Sequence, residues 1–136
     1  MAKQYVLVTG ASRGIGRSTA LFFARKGCHV FLNCKSSLEE LREVEASIRQ
    51  EGKGSCTLVP ADVGNPDEVR GMFDEIYRTC PCLDILINNA GVSHIGLLSD
   101  MSDSQWNRVI QTNLSSVFYC CRAAIPPKSD RSHVVL

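Results

Sequence analysis

The sequence predicts an α/β fold, a doubly wound parallel sheet with helices on both faces, reaching to about a fifth strand. Three observations predict it. Short apolar runs alternate four times with segments of helical period, joined by short connections. The first run, Val6-Leu7-Val8, enters a glycine-rich turn, Gly10 to Gly16, that leads straight into a helical pattern. The residues out of keeping with a plain core (the glycine turn, Asn33 to Lys35, Asp62-Val63 and Asn88 to Gly91) all fall at the carboxyl ends of the apolar runs, where open parallel sheets place their ligands.

Tyr5 to Thr9 reads as a buried strand. The helix after the turn carries Ile15, Thr19, Phe22 and Phe23 at helical spacing and ends near Gly27, a natural C-cap. Val30-Phe31-Leu32 is a second strand. Ser37 with Glu40 predicts a capping box for a helix bearing Leu38, Leu41, Val44 and Ile48, closed by Gly52 and Gly54. Cys56 to Val59 is a third strand, stopped by Pro60. Asn65 caps the next helix, with Pro66 in its first turn and a stripe of Val69, Met72, Phe73, Ile76 and Tyr77. Asp84 to Ile87 is a fourth strand, and a mixed loop follows over 92–101. Ser102 with Gln105 forms a second capping box, opening a helix with Trp106, Val109, Ile110, Asn113, Leu114, Val117, Phe118 and Cys121 along it until Pro126-Pro127. His133 to Leu136 reads as the start of a fifth strand.

Composition narrows the classes. With 136 residues, 44% hydrophobic, and a mean hydropathy of -0.03, the chain reads as one soluble globular domain. No apolar run reaches the ~18 residues of a membrane span, and Met1 to Tyr5 carries no secretory signal pattern. Seven cysteines without a C-x-x-C pair point to reduced, buried thiols in a cytoplasmic protein and against a metal site. The net charge is +1, but residues 1–38 hold six Lys and Arg and no acid, which favours an anionic ligand there. Nucleic acid is disfavoured, because no aromatic stacking platform accompanies those cations.

The turn Gly10-x-x-x-Gly14-x-Gly16 suits a phosphate held by backbone N–H groups at a helix N-terminus. It is neither G-x-G-x-x-G nor a P-loop. A methyltransferase of similar topology is disfavoured, because Thr9 stands where an acid would lead into the turn. A nicotinamide dinucleotide lacking a 2′-phosphate needs a carboxylate about 20 residues past the glycines. Here the second strand ends Asn33-Cys34-Lys35 and the first acid is Glu39. Arg13 and Lys35 instead offer charge to a 2′-phosphate. A nicotinamide dinucleotide is what the family resemblance given next implies; with it, these charges make NADP(H) the expected cofactor, with NAD(H) less favoured.

Thr9-Gly10-Ala11-Ser12-Arg13-Gly14-Ile15-Gly16, taken with Asn88-Asn89-Ala90-Gly91, resembles the short-chain dehydrogenase/reductase family over residues 4 to about 126. Within it the chain is most similar to the 3-oxoacyl-(acyl-carrier-protein) reductases of fatty acid biosynthesis. The resemblance implies a Rossmann-type fold in which residues 1–136 form the dinucleotide-binding part of a single domain. It implies cofactor contacts from Gly10, Ser12, Arg13, Gly14, Ile15, Gly16 and Lys35. Asp62 takes the adenine amino group and the Val63 backbone the ring, while Asn89, Ala90 and Gly91 line the ribose and nicotinamide. Asn88 is expected to tie neighbouring strands together, and Ser93 and His94 lie in a loop near substrate. Asn113, in the context Thr112-Asn113-Leu114, matches the family's catalytic asparagine, which supports a proton-relaying water. On a helical stripe it is expected to be a buried amide held by a specific neighbour. The implied substrate is a small or acyl-carrier-bound carbonyl compound, and family members are homo-oligomers, often tetramers.

The sequence also departs from the pattern. The family's hydride transfer uses a serine and a Tyr-x-x-x-Lys. Tyr5, Tyr77 and Tyr119 are followed four residues on by Thr9, Pro81 and Ala123. Residues 127–133 are more polar than the usual helix end. The chain therefore reads as the N-terminal half of a reductase, expected to be inactive by itself and prone to association through uncovered apolar positions of the helix beginning at Ser102. The alternative is a non-catalytic dinucleotide-binding or interaction protein.

Overall fold

The computed structural model describes residues 2–125 and 134–135. Five parallel strands form one sheet: β1 (Tyr5–Val8), β2 (His29–Leu32), β3 (Ser55–Leu58), β4 (Ile85–Ile87) and β5 (Val134–Val135), in the order β3-β2-β1-β4-β5. The register runs Val6 beside Val30 and Ile85, with Leu7 beside Phe31 and Leu86. The order reverses between β1 and β4, and a crevice opens at such a reversal outside the strand ends. Among the described residues there are five α-helices, α1 (Gly14–Arg25), α2 (Leu38–Glu51), α3 (Pro66–Thr79), α4 (Asp103–Ile110) and α5 (Ser116–Ala124), of which α4 buries no residue.

Strand alternation divides the core into two layers. Val6, Val8, Val30 and Leu32 face α1 and α2, meeting Ala20, Ala24, Leu41, Val44 and Ile48. Leu7, Phe31 and Leu86 face the other way, against Val69, Met72, Phe73 and Ile76 of α3 and Cys120 and Ala124 of α5. Asn65 caps α3 as expected, its side-chain oxygen accepting from the N–H groups of Asp67 and Glu68. Ser102 and Gln105 form the second capping box.

Three local expectations are corrected. The buried face of α1 is Gly16, Ala20 and Ala24 rather than the stripe of larger residues, with Ile15 78% and Phe22 53% exposed. Small residues let this helix lie close to the sheet, and a Cβ on Gly16 would run into the carbonyl oxygen of Gly10. Ser37 makes no capping bond. Its hydroxyl accepts from Arg13 Nη2 at 3.0 Å, and Glu40 Oε2 lies 3.3 Å from Arg13 Nε. A charge-assisted bond is about twice as strong as a neutral one, so the guanidinium outcompetes the helix N–H groups. The helix beginning at Ser102 is not continuous: a π-helical segment, Gln111–Ser115, separates α4 from α5. Ser116, the first residue of α5, reaches back to it, its Oγ donating to the Thr112 carbonyl at 2.5 Å. The wider turn rotates the faces, so α5 buries Ser116, Cys120 and Ala124. Trp106, Leu114 and Phe118 are 54%, 64% and 58% exposed, as expected for this helix. Pro126-Pro127, the polar stretch 127–133 and Leu136 lie outside the described residues.

Of the seven cysteines, Cys28, Cys34, Cys80 and Cys120 are buried, and Cys56, Cys82 and Cys121 partly so. Burial pushes Cys120 up to about 12 and Cys80 up to about 11, the neighbouring cysteines adding to the effect. Among the described residues no helix is long and apolar enough to cross a membrane.

Candidate functional site

The crevice between the ends of β1 and β4 holds a cavity of about 490 Å³. Its floor is built by three side chains that bind backbone rather than solvent. The Thr9 hydroxyl, 2% exposed, accepts from the N–H groups of Asn89 and Ala90, both at 2.9 Å, and donates to the Ile87 carbonyl at 3.4 Å. The Asn89 amide returns to the turn, donating to the carbonyls of Thr9 at 3.1 Å and Gly10 at 3.0 Å. Asn33, 1% exposed, accepts from the Gly10 N–H at 3.3 Å and donates to the carbonyls of Val59 and Ala61, each at 3.1 Å. The ends of β1, β2, β3 and β4 are thereby tied into one rim. Gly10 takes φ +61°, and a Cβ there would stand 2.9 Å from Ala90 Cα. Glycine is needed for both the backbone angle and the close approach.

Of the residues singled out in the sequence, Gly10, Ser12, Arg13, Lys35, Asp62, Val63, Asn89, Ala90 and Gly91 line the cavity. Gly14, Ile15 and Gly16 stand behind it as the first turn of α1. Arg13 is the N-cap residue and supplies no side-chain cap, so the leading N–H groups of the helix remain open toward an anion. Lys35 Nζ lies 3.3 Å from Asp62 Oδ2, and Asp62 Oδ1 accepts from the Gly64 N–H at 2.9 Å. Both cations of the rim are thus paired, Arg13 with Glu40 and Lys35 with Asp62. These pairs are exposed and worth only about 0–1 kcal/mol each, so a dianionic ligand can displace them.

Asn113 does not line the cavity, and it is exposed rather than buried. The apolar face on which it sits is not covered, which is why burial fails there. It is nonetheless held by one neighbour: its side chain accepts from the Val92 N–H at 2.7 Å and donates to the Val92 carbonyl at 2.8 Å. Val92 is itself part of the cavity wall. Asn88 reaches Cys121 Sγ at 3.6 Å, joining β4 to α5 rather than strand to strand. Ser93 and His94 are exposed.

Sequence reasoning missed several lining residues: Ser36, Ser37, Ala61, Val92, Arg108 and Thr112. Arg108 and Thr112 carry no local signal, because their place depends on how α4 folds back over the loop after β3. The roles of Thr9 and Asn33 were readable only as polar residues ending apolar strands.

This sheet order, with the glycine turn and the Asn-Asn-Ala-Gly segment facing each other across the reversal, defines a Rossmann-type doubly wound fold. The chain belongs to the short chain dehydrogenase family, whose pattern matches residues 4–135. It is 43% identical over 120 residues to the 3-oxoacyl-(acyl-carrier-protein) reductase FabG of Staphylococcus aureus, covering 88% of this chain and 48% of that enzyme. It is 36% identical over 125 residues to a D-beta-hydroxybutyrate dehydrogenase of Rhizobium meliloti, covering 92% and 48% respectively. A short chain dehydrogenase of Burkholderia cenocepacia, solved in complex with NADP, superposes with a TM-score of 0.83 at 33% identity, over 89% of this chain and 49% of that one. The chain spans about half the length of the curated relatives it matches.

Proposed function

We propose that this chain supplies the NADP(H)-binding half of a carbonyl reductase whose substrate is a ketone of 3-oxoacyl thioester type, small or carried on an acyl carrier. The observation that carries the cofactor choice is the charge at the end of β2. Arg13 and Lys35 converge there from two elements, and the strand ends in the amide of Asn33 rather than a carboxylate. The site fits a dinucleotide diphosphate. Gly10 leaves room that a Cβ would fill, and the N-terminus of α1 is open. The reading assigns the pyrophosphate to the turn from Gly10 through Ser12, Gly14, Ile15 and Gly16. It assigns the 2′-phosphate to Arg13 and Lys35, the adenine to Asp62 and Val63, and the ribose and nicotinamide side to Asn89, Ala90 and Gly91. When bound, the reduced nicotinamide supplies a hydride. Asn113 fixes the Val92 peptide beside that end and is the one catalytic helper assigned to this chain. The NADP complex of the Burkholderia relative and the reductase relatives support this reading.

The sequence contains no Tyr-x-x-x-Lys, so the 136-residue chain is proposed to bind cofactor without turnover. Titration of the chain with NADPH and NADH at low ionic strength tests the cofactor choice. NADPH binds more tightly, and the double substitution Arg13→Ala with Lys35→Ala removes about 10-fold or more of that affinity while sparing NADH. Tighter binding of NADH overturns the choice. Ketone-dependent oxidation of NADPH by the purified chain overturns the inactivity.

A further inference from the structure

Three cations line the cavity, and they are not equivalent. Arg13 is held by Ser37 and Glu40, and Lys35 by Asp62. The third, Arg108, stands in the last turn of α4 and has no ion pair or side-chain hydrogen bond among the described residues. Its position in the cavity wall follows from how α4 is seated. Gly64 packs against the following segment so closely that a Cβ there would lie 3.4 Å from the Gln111 carbonyl carbon and from Thr112 Oγ1. Thr112 is thereby set beside the loop that carries Asp62 and Val63, and Arg108, four residues earlier in the chain, lines the same cavity.

That end of the cavity is short of one thing a purine needs. No aromatic side chain lines it among the described residues, so nothing there presents a ring on which a base can stack. A guanidinium is planar and weakly hydrated, and it packs face to face on aromatic rings. Arg13 is assigned to the 2′-phosphate, which leaves Arg108 as the unassigned planar group lining the cavity.

We propose that Arg108 is a binding-determining residue whose guanidinium covers the face of the adenine ring, contributing to the binding of either nicotinamide dinucleotide without choosing between them. This rests on the reading of the cavity as a dinucleotide site. Adenine is common to both cofactors, whereas the 2′-phosphate is not, and the two possible roles of an arginine separate on that difference.

The experiment titrates the full chain and the variants Arg108→Ala and Arg108→Lys with NADPH and with NADH, after circular dichroism and urea unfolding establish that each variant folds like the parent. Because Arg108 is exposed and unpaired, Arg108→Gln serves as a further variant should the alanine form unfold. The expected result is a loss of about 5-fold for both dinucleotides in the alanine or glutamine form, with the lysine form remaining weakened because it keeps the charge and loses the plane. A loss confined to NADPH assigns Arg108 to the 2′-phosphate and overturns the proposal. Full rescue by lysine, or no loss in any variant, overturns it as well. Failure of the parent chain to bind either dinucleotide overturns the cavity reading and this inference together, whereas parent binding with unaffected variants overturns only the inference.

Discussion

Replacing Asn33 by leucine isolates the polar tie that holds the rim together. The two side chains have the same number of heavy atoms and the same branching, so the substitution leaves no cavity; it acts through the lost hydrogen bonds, with the bulkier methyl groups adding some strain. Asn33 is 1% exposed and serves three backbone groups: the Gly10 N–H and the carbonyls of Val59 and Ala61. Gly10 lines the cavity and its N–H can turn to water, so its loss is small. The two carbonyls belong to the interior, and a buried acceptor left without a donor costs about 1–3 kcal/mol. Their sum is about 2–6 kcal/mol against a total stability on the order of 5–15 kcal/mol. With a urea slope of about 2 kcal/mol/M, the unfolding midpoint falls by about 1–3 M. Urea titration followed by far-UV circular dichroism measures it. A leucine variant within about 0.5 kcal/mol of the parent would refute the view that this amide fastens β2 to the loop after β3.

The remaining predictions concern the opposite end of the sheet and one helix connection. His29 is half-buried against Tyr5 and Phe31, with its ring nitrogens 2.7 Å from Ser55 Oγ and 2.9 Å from Thr57 Oγ1. Burial, and then the charge of Lys3, hold its pKa below the ordinary histidine value. The unfolded chain therefore takes up a proton more readily than the folded one. This contribution to stability is complete above about pH 6.5 and declines as the pH drops below it. Thermal unfolding between pH 7.5 and 5.5 should show the decline in the parent and a flatter profile in His29→Gln; equal slopes in the two proteins count against it. Gly54→Ala should cost about 2–4 kcal/mol, because its Cβ would meet the Ala24 carbonyl and lie 2.7 Å from the Cys28 oxygen. Gly52→Ala, at φ +65° with its nearest neighbour 4.0 Å away, should cost about 1 kcal/mol. Urea midpoints that fall equally in both would contradict the steric account.

Strand–helix alternation made the layers legible, because Val6, Val8 and Leu7 carry a period of two and α2 and α3 carry clean apolar stripes. The face of α1 was misread for a physical reason. Hydrophobic periodicity follows the largest side chains, whereas this helix approaches the sheet closely and buries its smallest, Gly16, Ala20 and Ala24. Ser37 and Glu40 fit the capping-box pattern, but a pattern local in sequence cannot know that Arg13 will arrive from another turn. The π-helical segment around Asn113 left no trace in the spacing of Val109, Ile110, Val117 and Phe118, which suits an unbroken helix. For the cavity, the glycine turn and the Asn-Asn-Ala-Gly run were visible because backbone demands restrict the residue types allowed there. Arg108 was invisible because nothing in its neighbourhood in the chain distinguishes it from any exposed helix arginine.

The Thr9–Asn89 hydrogen bonds join residues 80 apart in the chain, and this has a kinetic meaning. Closing a loop of that length costs about 4 kcal/mol of chain entropy beyond a constant term, and no local contact can repay it early. The β1–β2 pair and α1 can form while β4 is still unmade, but the crevice then has only one wall. At about 5–20 residues per second of synthesis, a growing chain carries the finished glycine turn for on the order of 4–15 s before Asn89 can reach it. The receptor for the dinucleotide is thus one of the last things this sheet acquires, and ligand present during folding can capture the chain only after β4 has docked.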